Sequence, residues 1–258
     1  MLLFLNFLKR KNKEENLKKQ ETQQTNQRIA TRKGELGEYK IDLQLNQLPS
    51  EYRFLNDLLI KNPKAKSGYS QIDHVVITPY GIFTIETKNY QGTIYGQKDR
   101  KTWLVNGKFQ MMNPFVQNYG HIKALESLLD KKHANVFISI VSFTKRCKLN
   151  VDVDYYKIAS SDEIIVYDVE LFKILQHKIS VLQNKHKEPI LSATDILTIY
   201  NAFSNAHVTD PKAIESHKEV LKSNSTKKQA TCSKCKKPVS DNVKRFCLSN
   251  KKFKGKIY

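Results

Sequence analysis

Residues 71–88 read QIDHVVITPYGIFTIETK, and this stretch decides the fold of the chain. Two runs rich in β-branched and aromatic residues, 71–78 and 81–88, flank the dipeptide Pro79-Tyr80. Runs of this kind on either side of a turn signal predict a β-hairpin. Apolar side chains occur at odd and even positions of both runs, so the strands are expected to be largely buried.

The position of the turn sets the register of this hairpin. With the turn between the two runs, Asp73 lies directly opposite Glu86. Directly opposed residues share a face of the sheet, with β-carbons roughly 5 Å apart. Lys88 lies two residues beyond Glu86 and points to the same face, because side chains alternate along a strand. The hairpin is therefore expected to bring two carboxylates and one ammonium together.

Two carboxylates that face each other on a sheet repel, and such a pair destabilises the fold. A divalent cation, Mg²⁺ or Mn²⁺, resolves the conflict, because Mg²⁺ binds one or two carboxylates together with waters and phosphate oxygens. Lys88 adds a cation that can hold a phosphate or orient an attacking water. The set Asp73, Glu86 and Lys88 therefore predicts metal-assisted hydrolysis of a phosphodiester.

An alternative interpretation makes Asp73 a polar residue at a strand edge and Glu86–Lys88 a surface ion pair. The apolar residues beside them, such as Ile72 and Ile85, instead favour buried strands. Because buried charges need partners, the flanking sequence favours the functional interpretation.

The rest of the chain adds helices and strands around the hairpin. Apolar spacing predicts a helix over 34–48. Asn113 and Pro114 predict the start of a helix to about residue 129, since Asn caps well and Pro suits the first helical position. Further predicted elements are a strand or helix at 52–60, strands within 92–112, at 135–143, 156–159 and 163–166, and helices beginning at Asp168, as a cap, and at Ser192. This order predicts an α/β domain whose mixed sheet is flanked by helices.

The formal net charge of +19 is concentrated at the two ends of the chain. Residues 1–33 carry nine basic and three acidic side chains, and residues 210–258 carry fourteen basic and four acidic. The middle, 34–209, carries 21 basic and 18 acidic side chains. Basic ends on a nearly neutral body suit a polyanion, nucleic acid first and an anionic membrane surface second. Two solvated, Lys-rich tails are the alternative.

The sequence does not predict stable membrane insertion, since no stretch approaches the roughly 20 apolar residues of a membrane span. Residues 1–8 are apolar and a basic run follows, which is the reverse of the order in a secretory signal. These features favour a cytoplasmic protein. A membrane-surface or scaffold role for residues 1–13 is a further alternative.

Three of the four cysteines, Cys232, Cys235 and Cys247, lie within the basic C-terminal segment. The Cys-x2-Cys spacing of the first two is typical of a zinc knuckle. A structural Zn²⁺ site needs four ligands, and the sequence stops at Tyr258 with only these three in place. We therefore expect a truncated product with an incomplete zinc site. Cysteines that bind no metal are the alternative.

The Asp73 and Glu86-Thr87-Lys88 pattern resembles the D…ExK signature of the PD-(D/E)xK nuclease superfamily. The stretch Gly34–Leu129 resembles one branch of it, the NERD (nuclease-related) domain. Ile72 stands where the superfamily's namesake Pro would be. The matching segments, in the order of the family, are Gly34–Glu38, Ile72–Val76, Gly81–Phe83, Glu86–Tyr90 with Gly92, and Asn113-Pro114 with Gln117.

This resemblance implies a restriction-endonuclease-like fold and a role for each matching residue. Asp73 and Glu86 would be metal ligands, and Lys88 the catalytic lysine. Glu35 or Glu38 on the first helix would complete the metal or water site. Ordinary solvated helix glutamates are the alternative.

Gln117 would support the active site from the helix that begins after Asn113. His121 lies one helical turn further on the same face, and polar surface is the alternative for both. The C-terminal tail resembles the zinc-finger tail that follows some NERD domains.

Together these features predict three segments: a basic, polar segment at 1–33, a NERD-like nuclease domain with a helical extension at 34–206, and a basic linker with a partial zinc-ribbon-like tail at 207–258. The first hypothesis is a Mg²⁺- or Mn²⁺-dependent DNA nuclease. The second is a nucleic-acid-binding module without hydrolysis, but such a module has no need for opposed carboxylates.

Overall fold

The computed structural model describes residues 25, 32 and 34–257, apart from residues 134, 153–155, 157–160, 226–230, 236–238, 240 and 254–255. The segment 1–33 and the strand predicted at 156–159 therefore lie almost wholly outside the described residues. Contacts divide the chain into two compact units, Met1–Thr209 and Asp210–Tyr258.

The first unit contains the hairpin and all residues of the predicted nuclease domain. Its elements, in chain order, are α1 (34–45), β1 (Arg53–Lys61), β2 (Tyr69–Thr78), β3 (Gly81–Lys88), β4 (Gly92–Tyr95), β5 (Thr102–Val105), β6 (Phe109–Met112), α2 (Pro114–Glu126), β7 (Phe137–Phe143), β8 (Cys147–Asn150), β9 (Glu163–Tyr167), α3 (Leu171–His186) and α4 (Ala193–Ala206).

The main sheet has five strands in the order β1-β2-β3-β7-β9. β1, β2 and β3 pair in antiparallel fashion, whereas β7 pairs in parallel with both β3 and β9. This is a mixed sheet flanked by helices, which confirms the predicted α/β fold class. The hairpin strand β3 lies at its centre, and this position explains why its apolar residues point to both faces.

The register of the hairpin is the predicted one. Thr78 pairs with Gly81, and the pairing continues to His74 opposite Ile85. The pairing of β2 with β3 ends there, one position before Asp73 and Glu86. The two carboxylate residues thus follow the last paired position, where the strands part and leave room between them.

Each face of the main sheet carries its own apolar core. On one face, Phe83 and Ile85 of β3 pack with Ile41 and Leu45 of α1 and with the apolar stripe of α3. The opposite core contains Ile82 and is closed by α2 and α4. Because side chains alternate along β3, Glu86 and Lys88 share the Ile82 face, which α2 covers.

A second sheet has four strands in the order β6-β5-β4-β8. The chain enters it twice from neighbouring strands of the main sheet, from β3 into β4 and from β7 into β8. The pairing of β3 with β7 ends with Lys88 opposite Phe143. The pairing of β4 with β8 begins with Gly92 opposite Cys147. The second sheet therefore adjoins the main sheet at the end of β3, where Glu86 and Lys88 lie.

Some predicted boundaries need correction. The segment 52–60 is a strand, and α2 ends at Glu126 rather than near residue 129. Asp168 does not cap α3, which begins only at Leu171 and has no side-chain cap bond. Instead, the carboxylate of Asp168 accepts backbone N–H bonds from Lys145 and Val169 and so ties the β7–β8 turn to the end of β9.

The second unit contains the helices α5 (Pro211–Ser225) and α6 (Asp241–Ser249). Cys232 and Cys247 are buried within it, and Cys235 is exposed. Among the described residues of both units, no helix is long and apolar enough to cross a membrane.

His74 lies on β2 and is 1% exposed, with its Nδ1 atom 2.8 Å from Oδ1 of Asn56. Burial lowers the pKa of His74 to about 4. The unfolded chain, in which His titrates at about 6.5, binds this proton more tightly than the folded protein does. The contribution of His74 to stability is therefore complete above about pH 6.5 and is lost as the pH falls toward 4.

We expect the lowered pKa of His74 alone to reduce the free energy of unfolding by about 2 kcal/mol as the pH falls from about 7.5 to about 5. Urea unfolding of the wild type and of His74→Gln at both pH values measures the effect. The pH-dependent loss should be larger in the wild type by this amount. Equal losses in the two proteins would show that His74 is not held neutral by the fold.

Candidate active site

Three side chains meet at the end of β3 and the first turns of α2. Glu86 Oε1 accepts hydrogen bonds from Lys88 Nζ at 2.5 Å and from Gln117 Nε2 at 2.7 Å. Lys88 Nζ also donates to Gln117 Oε1 at 2.9 Å. The amide of Gln117 thus bridges a carboxylate and an ammonium, with its donor toward the negative group and its acceptor toward the positive one.

Asp73 stands beside this triad on β2. Its Oδ2 atom accepts the backbone N–H of Thr87 at 2.6 Å. The amide of Thr87 lies beyond the last paired position of the hairpin, so the Asp73 side chain satisfies a group that the sheet leaves without a strand partner. This bond holds the Asp73 carboxylate next to the segment Glu86-Thr87-Lys88.

The second oxygen of Glu86 has no hydrogen-bond donor. Glu86 is 2% exposed, and no described group donates to its Oε2 atom. Nδ1 of His121 lies 3.4 Å from this atom, and among the described residues it also has no hydrogen-bond partner. A buried carboxylate oxygen without a donor or cation is costly, so this atom marks a place for a positively charged group.

The electrostatics of the site show an excess of negative charge. Burial and the nearby Glu86 carboxylate raise the pKa of Asp73 well above its ordinary value. Burial would lower the pKa of Lys88, but the attraction of Glu86 and Asp73 outweighs it and raises this pKa. One ammonium therefore faces two carboxylates that cannot both be ionised without strain.

His121 approaches the site from α2, one turn after Gln117. Burial lowers the pKa of His121, and the charge of Lys88 lowers it further against the attraction of Glu86. His121 is therefore neutral at pH 7 and does not supply the cation that Glu86 Oε2 needs. In the sequence it was only a residue on the same helical face as Gln117.

The helix α1 approaches the site from the other face of the sheet. A β-carbon on Gly37 would lie 3.2 Å from Nδ2 of Asn89 and 3.6 Å from Cγ2 of Thr87, so a glycine permits this close approach. Glu38 is half-buried here. Burial raises the pKa of Glu38, and the charges of Asp57 and Glu86 add to the effect.

Of the two candidate glutamates on α1, Glu38 faces the site and Glu35 is exposed. Their shared helical face did not distinguish them, because the choice depends on how α1 packs against β3. The structure brings together Asp73, Glu86, Lys88 and Gln117, with Glu38 nearby. It leaves Glu35 at the periphery.

Asp57 was missed in the sequence. It stands on β1 between Asn56 and Leu58, which pair with His74 and Ile72 of β2, so its position is opposite Asp73. Its φ of 50° takes the backbone out of the strand conformation, and its carboxylate accepts a 2.8 Å hydrogen bond from Gln71. The ambiguous run 52–60 offered no signal for this break.

The site has the donors that a hard divalent cation prefers. Asp73 and Glu86 supply carboxylate oxygens, and the Glu86 oxygen without a donor fits a cation better than it fits a neutral hydrogen bond. Among the described residues, no group of three or more His, Cys, Asp or Glu side chains is placed to hold a metal ion. Asp73 and Glu86 are the candidate ligands of this centre.

The mixed sheet, the central hairpin and the Asp73…Glu86-x-Lys88 set define a restriction-endonuclease-like α/β domain. Residues 33–144 match the family described as "Nuclease-related domain" (NERD), so this part of the chain is similar to NERD domains. The matched region runs from α1 to the end of β7 and contains every residue of the site.

A Bacillus anthracis protein, described as uncharacterized, is 29% identical over 193 residues. The match covers 73% of this chain and 84% of that protein. It therefore extends well beyond the length of the NERD domain alone. No solved structure matches the chain.

Replacing the Asp73 carboxylate by an amide tests the repulsion within the site. Asp73→Asn keeps an acceptor for Thr87 N–H and removes one negative charge beside Glu86. In metal-free buffer with a chelator, we expect about 1 kcal/mol of added stability, which raises Tm by about 2–4 °C.

The matched control is Asp130→Asn, which removes the same charge from an exposed position. It should leave Tm unchanged within about 1 °C. A lower Tm for Asp73→Asn would show that the ionised carboxylate stabilises the fold without a cation.

Proposed function

We propose that the NERD-like domain of this chain is a Mg²⁺- or Mn²⁺-dependent nuclease that hydrolyses phosphodiester bonds of DNA. The observation that carries the proposal is the pair of half-buried Asp73 and buried Glu86 beside Lys88, in which no described group donates to one Glu86 oxygen. A purely structural hairpin gains nothing from two opposed carboxylates, because they repel.

Asp73 and Glu86 are the residues that would hold the divalent metal. When bound, such an ion polarises a phosphoryl oxygen and lowers the pKa of a water molecule. Two carboxylates leave the remaining coordination positions for waters and for phosphate oxygens of the substrate, as is usual for Mg²⁺.

Lys88 has the properties of a fixed positive charge at the reaction centre. Its raised pKa keeps the ammonium protonated at neutral pH. A protonated Lys88 can bind a phosphate oxygen and stabilise the negative charge that develops during hydrolysis. Gln117 restrains both Lys88 and Glu86 through one amide, so it acts as a positioning residue for the two groups.

The charge of the chain supports a nucleic acid as the substrate. The end segments 1–33 and 210–258 carry net charges of +6 and +10. Lysines in such segments bind phosphates without sequence preference and increase the encounter rate with DNA. We propose DNA in the cytoplasm as the target, and Zn²⁺ in the cysteine tail remains a separate prediction.

The test is cleavage of supercoiled plasmid and of linear single-stranded DNA with Mg²⁺ or Mn²⁺, and with a chelator as the blank. We expect metal-dependent cleavage by the wild type. Glu86→Gln removes a ligand charge, and Lys88→Ala removes the stabilising cation. Each should lower the rate by about 100-fold or more.

Lys123 and Glu126 provide the matched control, because they form an ion pair of the same residue types on the same helix as Gln117. Lys123→Ala and Glu126→Gln should cleave at the wild-type rate. If the wild type cleaves neither substrate with either metal, but all variants bind DNA equally, a non-catalytic nucleic-acid-binding module becomes the better account.

A further inference from the structure

The small sheet beside the active site has an unusual charge. We call the strands β4, β5, β6 and β8 with their connections, residues 92–112 and 145–150, the basic sheet. It carries seven basic side chains and one acidic. The other residues of 34–209 carry fourteen basic and 17 acidic side chains. The whole excess of positive charge in the body of the protein is thus on this sheet.

The outer face of the basic sheet also exposes apolar groups. Strand pairing places Tyr95 opposite Leu104 and Asn150, so these three share the face that points away from the core. Tyr95 is 43% exposed, and Met112 on β6 is 56% exposed. An exposed ring among lysines suits a partner that has both negative charge and flat, apolar groups.

The connection between β4 and β5 carries the exposed cations Lys98, Arg100 and Lys101. Its backbone is held by a buried side chain. Nδ2 of Asn113, a residue that is 1% exposed, donates to the carbonyl of Lys98 at 3.2 Å and to that of Arg100 at 2.9 Å. The loop is therefore ordered before any partner binds, which lowers the entropy cost of binding.

Trp103 holds the same loop from the other side. Its indole Nε1 donates to the carbonyl of Gln97 at 3.1 Å. A β-carbon on Gly96 would lie 2.4 Å from Cδ2 of Trp103, so only glycine lets the chain turn against the ring. The buried side chains of Trp103 and Asn113 thus hold the backbone of this exposed basic loop in place.

Asn113 connects this loop to the catalytic centre. Its Oδ1 atom accepts the N–H of Phe115 and caps α2, the helix that presents Gln117 to Glu86 and Lys88. Gln117 follows Asn113 by four positions, a rise of about 6 Å along the helix. The backbone of the loop is therefore held by a residue about one helical turn from Gln117.

A second group of cations lies at the opposite end of the basic sheet. Arg146 donates a hydrogen bond to Oδ1 of Asn89, and its carbonyl accepts from Gly92 N at 3.4 Å. The N–H of Thr144 donates to the carbonyl of Lys88 at 3.1 Å. Lys148 points to the same outer face as Tyr95, because it lies two residues before Asn150, the β8 residue that pairs with Tyr95. Cations thus stand on both sides of the ring.

We propose that the outer face of the basic sheet binds single-stranded nucleic acid and guides it to the catalytic centre. The cations bind phosphates, and Tyr95 stacks on a base, which is the combination that single-strand-binding surfaces use. The role of guiding a strand to the catalytic centre rests on the proposed nuclease function, whereas binding of the strand needs no hydrolysis. It assigns to the domain body a contact that the basic ends alone would not supply.

The first test measures binding of the full chain to an oligo-dT of about 16 nucleotides by fluorescence anisotropy in the presence of a chelator. Two changes are compared with the wild type. The combined Lys98→Ala/Arg100→Ala/Lys101→Ala variant should bind about 10-fold more weakly or worse, and its salt dependence should be shallower by about 2 because single strands release about 0.7 counterions per phosphate contact. Tyr95→Ala should weaken binding about 5-fold or more without changing the salt slope.

Two matched controls accompany these variants. Lys61→Ala/Lys64→Ala/Lys66→Ala removes three exposed cations from the β1–β2 connection of the same unit. Tyr95→Phe keeps the ring and removes only the hydroxyl. Both should bind oligo-dT as the wild type does. The inference is wrong if the β1–β2 variant loses as much affinity as the β4–β5 variant, or if Tyr95→Ala binds like Tyr95→Phe.

A second measurement locates the strand directly, even if the basic ends contribute most of the affinity. Oligonucleotides with photoreactive iodouracil are cross-linked to the full chain, and the adduct is mapped by mass spectrometry. The expected adduct is on Tyr95 and is absent in Tyr95→Ala. Adducts confined to residues 1–33 and 210–258 would overturn the inference. The inference would also be overturned if a DNA duplex bound more tightly than oligo-dT and if Tyr95→Ala left the binding of that duplex unchanged.

Binding and cleavage separate the two proposals. Loss of oligo-dT binding in the loop variant, in a protein that never cleaves DNA, supports the binding face and overturns the nuclease. Cleavage that depends on Glu86 and Lys88, with no effect of the loop or Tyr95 variants on binding, supports the nuclease and overturns the binding face.

Discussion

A half-buried carboxylate and a buried one beside a single ammonium are the constraint on which the site depends. Asp73 and Glu86 lie where the hairpin strands part, and Lys88 is the cation between them and α2. The fold stabilises this arrangement with few bonds: one backbone N–H for Asp73, and one amide for Glu86 and Lys88 together. Burial and, after it, the nearby Glu86 carboxylate raise the pKa of Asp73, and the excess of negative charge makes the site suitable for a divalent cation.

The position of this set in the sheet follows from the same constraint. β3 is the central strand, with apolar cores on both faces, and Glu86 near its end is 2% exposed. In a low-dielectric setting of this kind, a fixed charge acts more strongly on a substrate than it does in water. The apolar residues of the hairpin therefore desolvate the charged residues that follow them.

One helix, α2, connects the site to the neighbouring basic sheet. α2 begins directly after Asn113, whose side chain caps the helix and holds the backbone of the basic β4–β5 loop. The helix presents Gln117 and His121 to Glu86. Its packing thus sets the geometry of the triad and of the neighbouring basic surface at the same time. Asp57, opposite Asp73 on the neighbouring strand, has a positive φ, a departure from regular structure of the kind found where function competes with stability.

The sequence by itself determined the hairpin and its register. Alternation along two β-rich runs and the position of Pro79-Tyr80 were sufficient to place Asp73 opposite Glu86 and Lys88 on the same face. These are local properties, because neighbouring residues and one turn set them. The mixed α/β class and the start of α2 followed from the order of elements and from Asn113 as a cap for similar reasons.

Only the tertiary structure decided which distant residues join that set. The choice of Glu38 over Glu35 depends on the packing of α1 against Thr87 and Asn89, and the bridge made by Gln117 depends on the angle of α2. The gathering of seven basic side chains on one sheet required the pairing of β4 with β8. Sequence spacing carries no information about such contacts, because they arise from non-local packing of elements whose separation along the chain is unrelated to their distance in space.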